Sequence, residues 1–161
     1  LMMLFDEFID TYKQKAIQKE SRVIHLGRKD RLPTSLLSKI AAIEKETEHF
    51  TRRVINMALD YGGRDEILRA VKRLQEQGVS ADTLTEENFN TYLDTSSEPF
   101  PEPDMIVRTG GEMRMSGFMA WQAVYAEYYF IDTFFPDLTP DDMDEIVAEY
   151  ARRERRFGGG K

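Results

Sequence analysis

A chain of 161 residues with 41% hydrophobic and 32% charged side chains holds enough apolar material for one core and too little length for two ordinary domains. An aromatic content of 11% excludes disorder for the bulk, and a formal net charge of -7 repels polyanions, which excludes general nucleic-acid binding. With no cysteine and two histidines there is no disulfide framework or thiolate metal site, which suits a reducing cytoplasm, and no apolar run reaches the roughly 20 residues that span a bilayer.

Leu1, Leu4, Phe5, Phe8, Ile9, Tyr12 and Ala16 recur at three- and four-residue spacing, which predicts one buried face of an amphipathic helix. No capping residue precedes it and position 1 is Leu, so truncation upstream is expected. Residues 22–26 (R-V-I-H-L) read as a short strand ended by Gly27. Pro33 and Thr34 open a second helix with Leu36, Leu37, Ile40 and Ile43 on one face. Residues 54–59 read as a buried strand running into D-Y-G-G. A helix over 64–77 follows, with Ile67, Leu68, Val71 and Leu74 inward and Gly78 as its stop. A helix over 86–93 and a Pro- and Ser-rich loop over 94–103 lead to a strand over 104–108 and a Gly-rich turn. A short helix over 116–122, a strand over 126–131 and a last helix complete the chain. Thr139 caps that helix, Pro140 takes its first position, Asp141 and Asp142 lie in its first turn, and Ile146, Val147 and Tyr150 face inward.

This alternation predicts an α/β fold with a mainly parallel sheet flanked by helices. Ligands of such sheets bind beyond the carboxyl ends of strands. The two loops to inspect are therefore D-Y-G-G and R-T-G-G-E, each a strand end with paired glycines.

In R-T-G-G-E-M-R-M-S, Arg108 closes a strand, Gly110 and Gly111 let the backbone turn, and Arg114 and Ser116 stand at the start of the next predicted helix. Two forked guanidiniums, a hydroxyl and helix-start amides suit a diphosphate. A tight turn with two solvated arginines is an equally economical reading. Glu127 lies in Y-A-E-Y-Y-F, among Trp121, Tyr125, Tyr128, Tyr129, Phe130, Phe134 and Phe135. A carboxylate there must face water, pair with a cation or bind a metal. A solvated carboxylate is the simpler reading, while Mg²⁺ takes one or two carboxylates with phosphate oxygens and water. The aromatic crowd suits a core or a subunit interface better than a ligand box. The run 152–159 (R-R-E-R-R-F-G-G) reads as the positive end of the last helix, and His25 and His49 read as structural.

Taken in order, D-Y-G-G-R-D-E-I (60–67), P-D-M-I-V-R-T-G-G-E-M-R-M-S-G-F (103–118), W-Q-A-V-Y-A-E-Y-Y-F (121–130), F-P-D-L (135–138) and R-E-R-R-F-G-G (153–159) closely resemble the cis-prenyltransferase family. Undecaprenyl diphosphate synthases are its best-known members. The resemblance implies condensation of isopentenyl diphosphate onto an allylic diphosphate with Mg²⁺, new double bonds in cis, a hydrophobic tunnel for the growing chain, and a homodimer in the cytoplasm that touches the membrane through its lipid product. By motif, Arg108, Arg114, Met115 and Ser116 would hold isopentenyl diphosphate. Glu127 would hold Mg²⁺, in some members reaching the site of the neighbouring subunit. Residues 156–158 would match an arginine-x-glycine pattern that reaches across to a partner.

Two departures qualify the likeness. Gly117 stands where the family usually has asparagine. The family's aspartate–glycine–asparagine–x–arginine block, which binds the allylic diphosphate and supplies a second carboxylate for Mg²⁺, is absent from these 161 residues, as is its phenylalanine–serine–x–glutamate–asparagine segment. Residues 1–161 therefore read as the carboxyl-terminal portion of a single cis-prenyltransferase domain, missing one or more amino-terminal strands, with no catalytic residue of their own and inactive alone. A non-catalytic partner subunit on the same fold is the alternative, and the intact Arg108, Arg114, Ser116 and Glu127 set favours the catalytic type. A nucleotide-binding domain finds no G-x-G-x-x-G or Walker loop.

Overall fold

The computed structural model describes residues 2–153, with side chains from Ile9 onward. It divides into two compact units, Leu1–Glu98 and Pro99–Lys161. The first contains α1 (Met2–Gln18), β1 (Ser21–Leu26), α2 (Thr34–Thr47), β2 (Arg53–Ala58), α3 (Gly63–Glu76) and α4 (Glu86–Asn90); the second contains β3 (Met105–Arg108), β4 (Glu127–Phe130) and α5 (Pro140–Arg152). β1 pairs with β2 in parallel, Ser21 opposite Arg53 and Leu26 opposite Ala58, and β3 pairs with β4 in parallel, Met105 opposite Glu127 and Arg108 opposite Phe130. The predicted α/β class with parallel strands and flanking helices is thus the observed one.

In the first unit β1–α2–β2 is a crossover unit, the arrangement that parallel pairing requires. Ile9 and Ala16 of α1, Val23 of β1 and Leu36, Ile40 and Ile43 of α2 make its core, which Leu37 and Met57 flank. The predicted face of α2 is therefore correct. Of the predicted face of α1, Ile9 and Ala16 are buried and Tyr12 is exposed, while Leu1, Leu4, Phe5 and Phe8 lie outside the residues whose side chains are described.

Among the described residues β1 has no strand on its far side, and three amides along that side are engaged by side chains. Val23 N–H donates to Thr47 Oγ1 at 3.0 Å, His25 N–H to Glu44 Oε1 at 2.9 Å, and Gly27 N–H to Asp94 Oδ2 at 3.0 Å. Two residues of α2 and one of a later loop thus do the work of a missing neighbour strand, as buried backbone donors demand. β2 was expected to be buried and is not: Ile55 is 44% exposed, and β1 is its only partner among the described residues. At the end of β1, Gly27 takes φ +118, and a Cβ there would stand 2.3 Å from the Leu59 carbonyl, so only glycine fits.

Three further expectations are corrected. α3 buries Leu74 as predicted, but with Glu66 and Ala70 beside it; Ile67 is half-buried, and Leu68 and Val71 are exposed. The segment 116–122 forms turns where a helix was predicted, because Ser116, Gly117 and Met119 take φ of 49, 77 and 45, a left-handed conformation no right-handed helix contains. α4 stops at Asn90 and 91–97 continue as turns, short of the predicted 93. α5 begins as predicted: Thr139 Oγ1 accepts from Asp142 N–H at 3.2 Å while Asp142 Oδ2 accepts from Thr139 N–H at 2.8 Å, a closed capping box. Ile146 is buried beneath it, but Val147 faces outward.

Candidate diphosphate site

At the carboxyl end of β3 the Arg108 guanidinium turns back over its own loop. Its Nη1 donates to the Arg114 carbonyl in a short hydrogen bond and lies 3.3 Å from Ser116 Oγ. The structure thus brings together Arg108, Ser116 and the backbone of Arg114. The glycine pair explains how: Gly110 and Gly111 take φ of 80 and 72, and their N–H groups donate to Thr133 O at 2.9 Å and Ile131 O at 3.1 Å. Those amides pin the loop to the segment after β4 and are spent on it. At Gly111 a Cβ would also press on Asp132 Oδ1 at 3.2 Å. Since no helix starts at Ser116, the helix-start amides expected from the sequence contribute nothing here.

The Arg114 side chain points to Glu112, with which it makes a short ion pair at an exposed position. Such pairs are worth at most about 1 kcal/mol, so the guanidinium is only weakly held there. Met115 turns its side chain onto the small core of Ile106, Ala123 and Ala126.

Glu127 is elsewhere. It opens β4 opposite Met105, whereas Arg108 ends β3 opposite Phe130, so the two lie about 10 Å apart along the strands, at opposite ends of the pair. Glu127 Oε2 accepts from Arg153 Nη1 at 3.0 Å. The same nitrogen donates to Tyr128 O at 3.0 Å, and Arg153 Nε lies 3.4 Å from Glu149 Oε1. The hydrogen bond to Glu127, and then that to Glu149, hold the Arg153 guanidinium more firmly charged than usual. Sequence reasoning missed Arg153 because it took R-R-E-R-R-F-G-G as a helix end; no pattern marks a partner 26 residues away. Residues 154–161, including the arginine-x-glycine pattern, lie outside the described residues.

The aromatic crowd is largely exposed rather than core. Tyr125, Phe134 and Phe135 are each at least 66% open, while Tyr128 and Phe130 stack with ring centroids 6.3 Å apart. As a cation site Glu127 was the expected ligand, and no group of three or more His, Cys, Asp or Glu among the described residues could hold a metal. A lone, partly exposed carboxylate fits a hard cation that draws its other ligands from phosphate oxygens and water.

In the first unit, D-Y-G-G joins β2 to α3 and its polar groups are satisfied internally. Arg31 grips Asp60 through two hydrogen bonds of 2.8 and 2.6 Å, and Tyr61 donates a short hydrogen bond to the fully buried Glu66. Glu66 in turn accepts from Asp94 N–H at 2.8 Å. His25 has the structural role expected. It is buried, its Nε2 meets Leu59 O at 3.0 Å, and burial lowers its pKa below the ordinary histidine value. Between α1 and the two strands lies an apolar cavity of about 330 Å³, lined by Ile9, Tyr12, Val23, Ile43, Ile55 and Met57 among others. No helix among the described residues is long and apolar enough to cross a membrane.

Comparison with known proteins shows the family of the chain. Residues 1–158 match the prenyltransferase family model described as "Putative undecaprenyl diphosphate synthase". The chain is 41% identical over 163 residues to an isoprenyl transferase of Listeria monocytogenes, covering 99% of this chain and 64% of that protein. It is 40% identical to an isoprenyl transferase of Aquifex aeolicus, covering 98% and 67%. Among solved structures it resembles lavandulyl diphosphate synthase from Lavandula x intermedia in complex with dimethylallyl diphosphate (TM-score 0.92, 29% identity, 98% of this chain and 70% of that one). It also resembles a probable undecaprenyl diphosphate synthase from Campylobacter jejuni (TM-score 0.85, 36% identity, 98% and 72%). The chain spans a little under two thirds of the length of the Listeria relative it matches.

Proposed function

The chain belongs to the undecaprenyl diphosphate synthase family of cis-prenyltransferases, and from that premise we propose that it supplies the isopentenyl diphosphate half of a polyprenyl diphosphate synthase. The observation that carries this reading is the Arg108 guanidinium seated on Ser116 and the Arg114 carbonyl at the carboxyl end of β3. Arg108 and Arg114 would fork onto the diphosphate oxygens and Ser116 would donate its hydroxyl, fixing the homoallylic substrate so that its double bond can be presented to an allylic partner. The apolar cavity beside α1 has the lining a growing hydrocarbon chain requires.

Mg²⁺ would neutralise diphosphate charge. Glu127 is the residue of this chain that would hold it, and its place at the far end of the strand pair from Arg108 favours service to a diphosphate on a second copy of the chain. Exposed Tyr125, Phe134 and Phe135 supply apolar area for such a homodimer. A soluble enzyme of the cytoplasm, meeting the membrane only through its lipid product, completes this reading. The residues that bind the allylic diphosphate are absent from the sequence, so the half-site alone would not turn over.

Calorimetric titration of isopentenyl diphosphate into the chain, the Arg108→Ala variant and the Arg114→Ala variant tests the assignment. Each charge-assisted contact is worth roughly 1.5–3 kcal/mol, so each variant should bind about ten- to a hundredfold more weakly. Equal affinity for all three would overturn it. The same chain given Mg²⁺, isopentenyl diphosphate and farnesyl diphosphate should form no product.

A further inference from the structure

The contacts of Glu127 raise a question the family resemblance does not answer: what its carboxylate does when no divalent cation is bound. Arg153 Nη1 sits 3.0 Å from Glu127 Oε2, and neither side chain is deeply buried, at 27% and 31% exposure. A guanidinium stays protonated throughout the accessible pH range and offers only donors. While it rests on Glu127 the carboxylate is charge-matched, and a second cation approaching the same oxygen meets repulsion.

Arg153 does not depend on Glu127 alone. The same Nη1 donates to Tyr128 O at 3.0 Å, and Nε is 3.4 Å from Glu149 Oε1, one turn earlier on α5. Glu149 also receives Arg152 Nη2 at 2.9 Å on its other oxygen. If the carboxylate of Glu127 turned away, Arg153 would keep a carbonyl and a carboxylate and would not be stranded.

We infer that Arg153 is a placeholder cation for Glu127: it neutralises the carboxylate in the metal-free protein and falls back on Glu149 and the Tyr128 carbonyl when a divalent cation takes its place. This rests on the reading of Glu127 as a cation ligand. Arg153 acts only through Glu127 and is a positioning residue. The arrangement makes cation uptake an exchange of one positive group for another. Uptake is then weak for the bare ion and favoured when a diphosphate brings negative charge of its own.

The test uses Mn²⁺ as probe and paramagnetic broadening of the Glu127 and Tyr128 amide resonances of the 161-residue chain as readout, with no substrate present. In Arg153→Gln the Mn²⁺ concentration that half-broadens these signals should fall at least threefold. In Glu149→Gln it should rise, because Arg153 loses its second carboxylate and stays on Glu127. Arg153→Lys, which keeps the charge without the fork, should lie between wild type and Arg153→Gln and serves should the latter disturb the end of α5. In Glu127→Gln the selective broadening should vanish, with or without Arg153→Gln. If Glu127→Gln keeps the broadening, the metal reading of Glu127 fails and this inference with it. If Glu127→Gln loses it while Arg153→Gln takes up Mn²⁺ no better than wild type, the placeholder role is overturned and the metal reading stands.

Discussion

Asp94 is held almost wholly out of water by two arginines of α3. Arg69 takes both its oxygens at 2.6 Å, Arg73 adds a bond of 3.1 Å, and the same carboxylate accepts the Gly27 amide. Burial pushes its carboxyl upward, but the hydrogen bonds from Arg69 and then Arg73 outweigh that and leave it below the ordinary carboxylate range. A carboxyl depressed in the folded state contributes stability that is complete above its unfolded pKa, about 4, and is lost as pH falls further through the folded value. Asp94→Ala should cost about 2–3 kcal/mol at neutral pH, since it leaves Arg69 with Asp65 as its one carboxylate and takes the acceptor from the Gly27 amide. Urea unfolding at neutral pH and again near pH 3 checks both points: the gap between variant and wild type should narrow in acid. Nothing in the sequence announces this residue. Asp94 stands in a stretch read as a plain loop, and its partners lie 21 and 25 residues back. By contrast the nearness of Arg108, Ser116 and the Arg114 backbone was legible, because a nine-residue span bounded by a strand end leaves them little room to separate.

At the scale of elements, strands and long helices followed from periodicity, as β1, α2 and α5 demonstrate, whereas the faces they bury depended on what stood opposite. α3 is the clear case. Ile67, Leu68, Val71 and Leu74 mark an apolar stripe, yet within its own unit the helix fully buries only Leu74 of it and turns Glu66 and Ala70 inward, with Tyr61 and the Asp94 amide to satisfy Glu66. The segment after Arg114 failed for a local reason: Ser116 and Met119 take left-handed backbone, which their residue types do not advertise. The outer edge of β1 gives a prediction of its own. Thr47 is fully buried, and its hydroxyl accepts from Val23 N–H while donating to Ile43 O at 2.7 Å. Thr47→Val keeps the volume but leaves that amide without its acceptor. Stability should fall by about 1–3 kcal/mol, and hydrogen exchange at Val23 should quicken more than at Ile24.

For the whole molecule, the exposed apolar side chains decide behaviour in solution. Phe100, Met113 and Phe135 are each at least 74% open, and burying such side chains against another molecule is favourable. The chain should associate with itself, seen as a sedimentation coefficient that rises with concentration, and a single sharp monomer boundary at every concentration would contradict it. The first unit's sheet carries a different kind of protection. Three N–H groups along the outer side of β1 are capped by Thr47, Glu44 and Asp94, so a strand laid along that border would find those donors already taken. Side chains act there as a stopper against edge-to-edge pairing, the office that charged residues and bulges fill in other sheets.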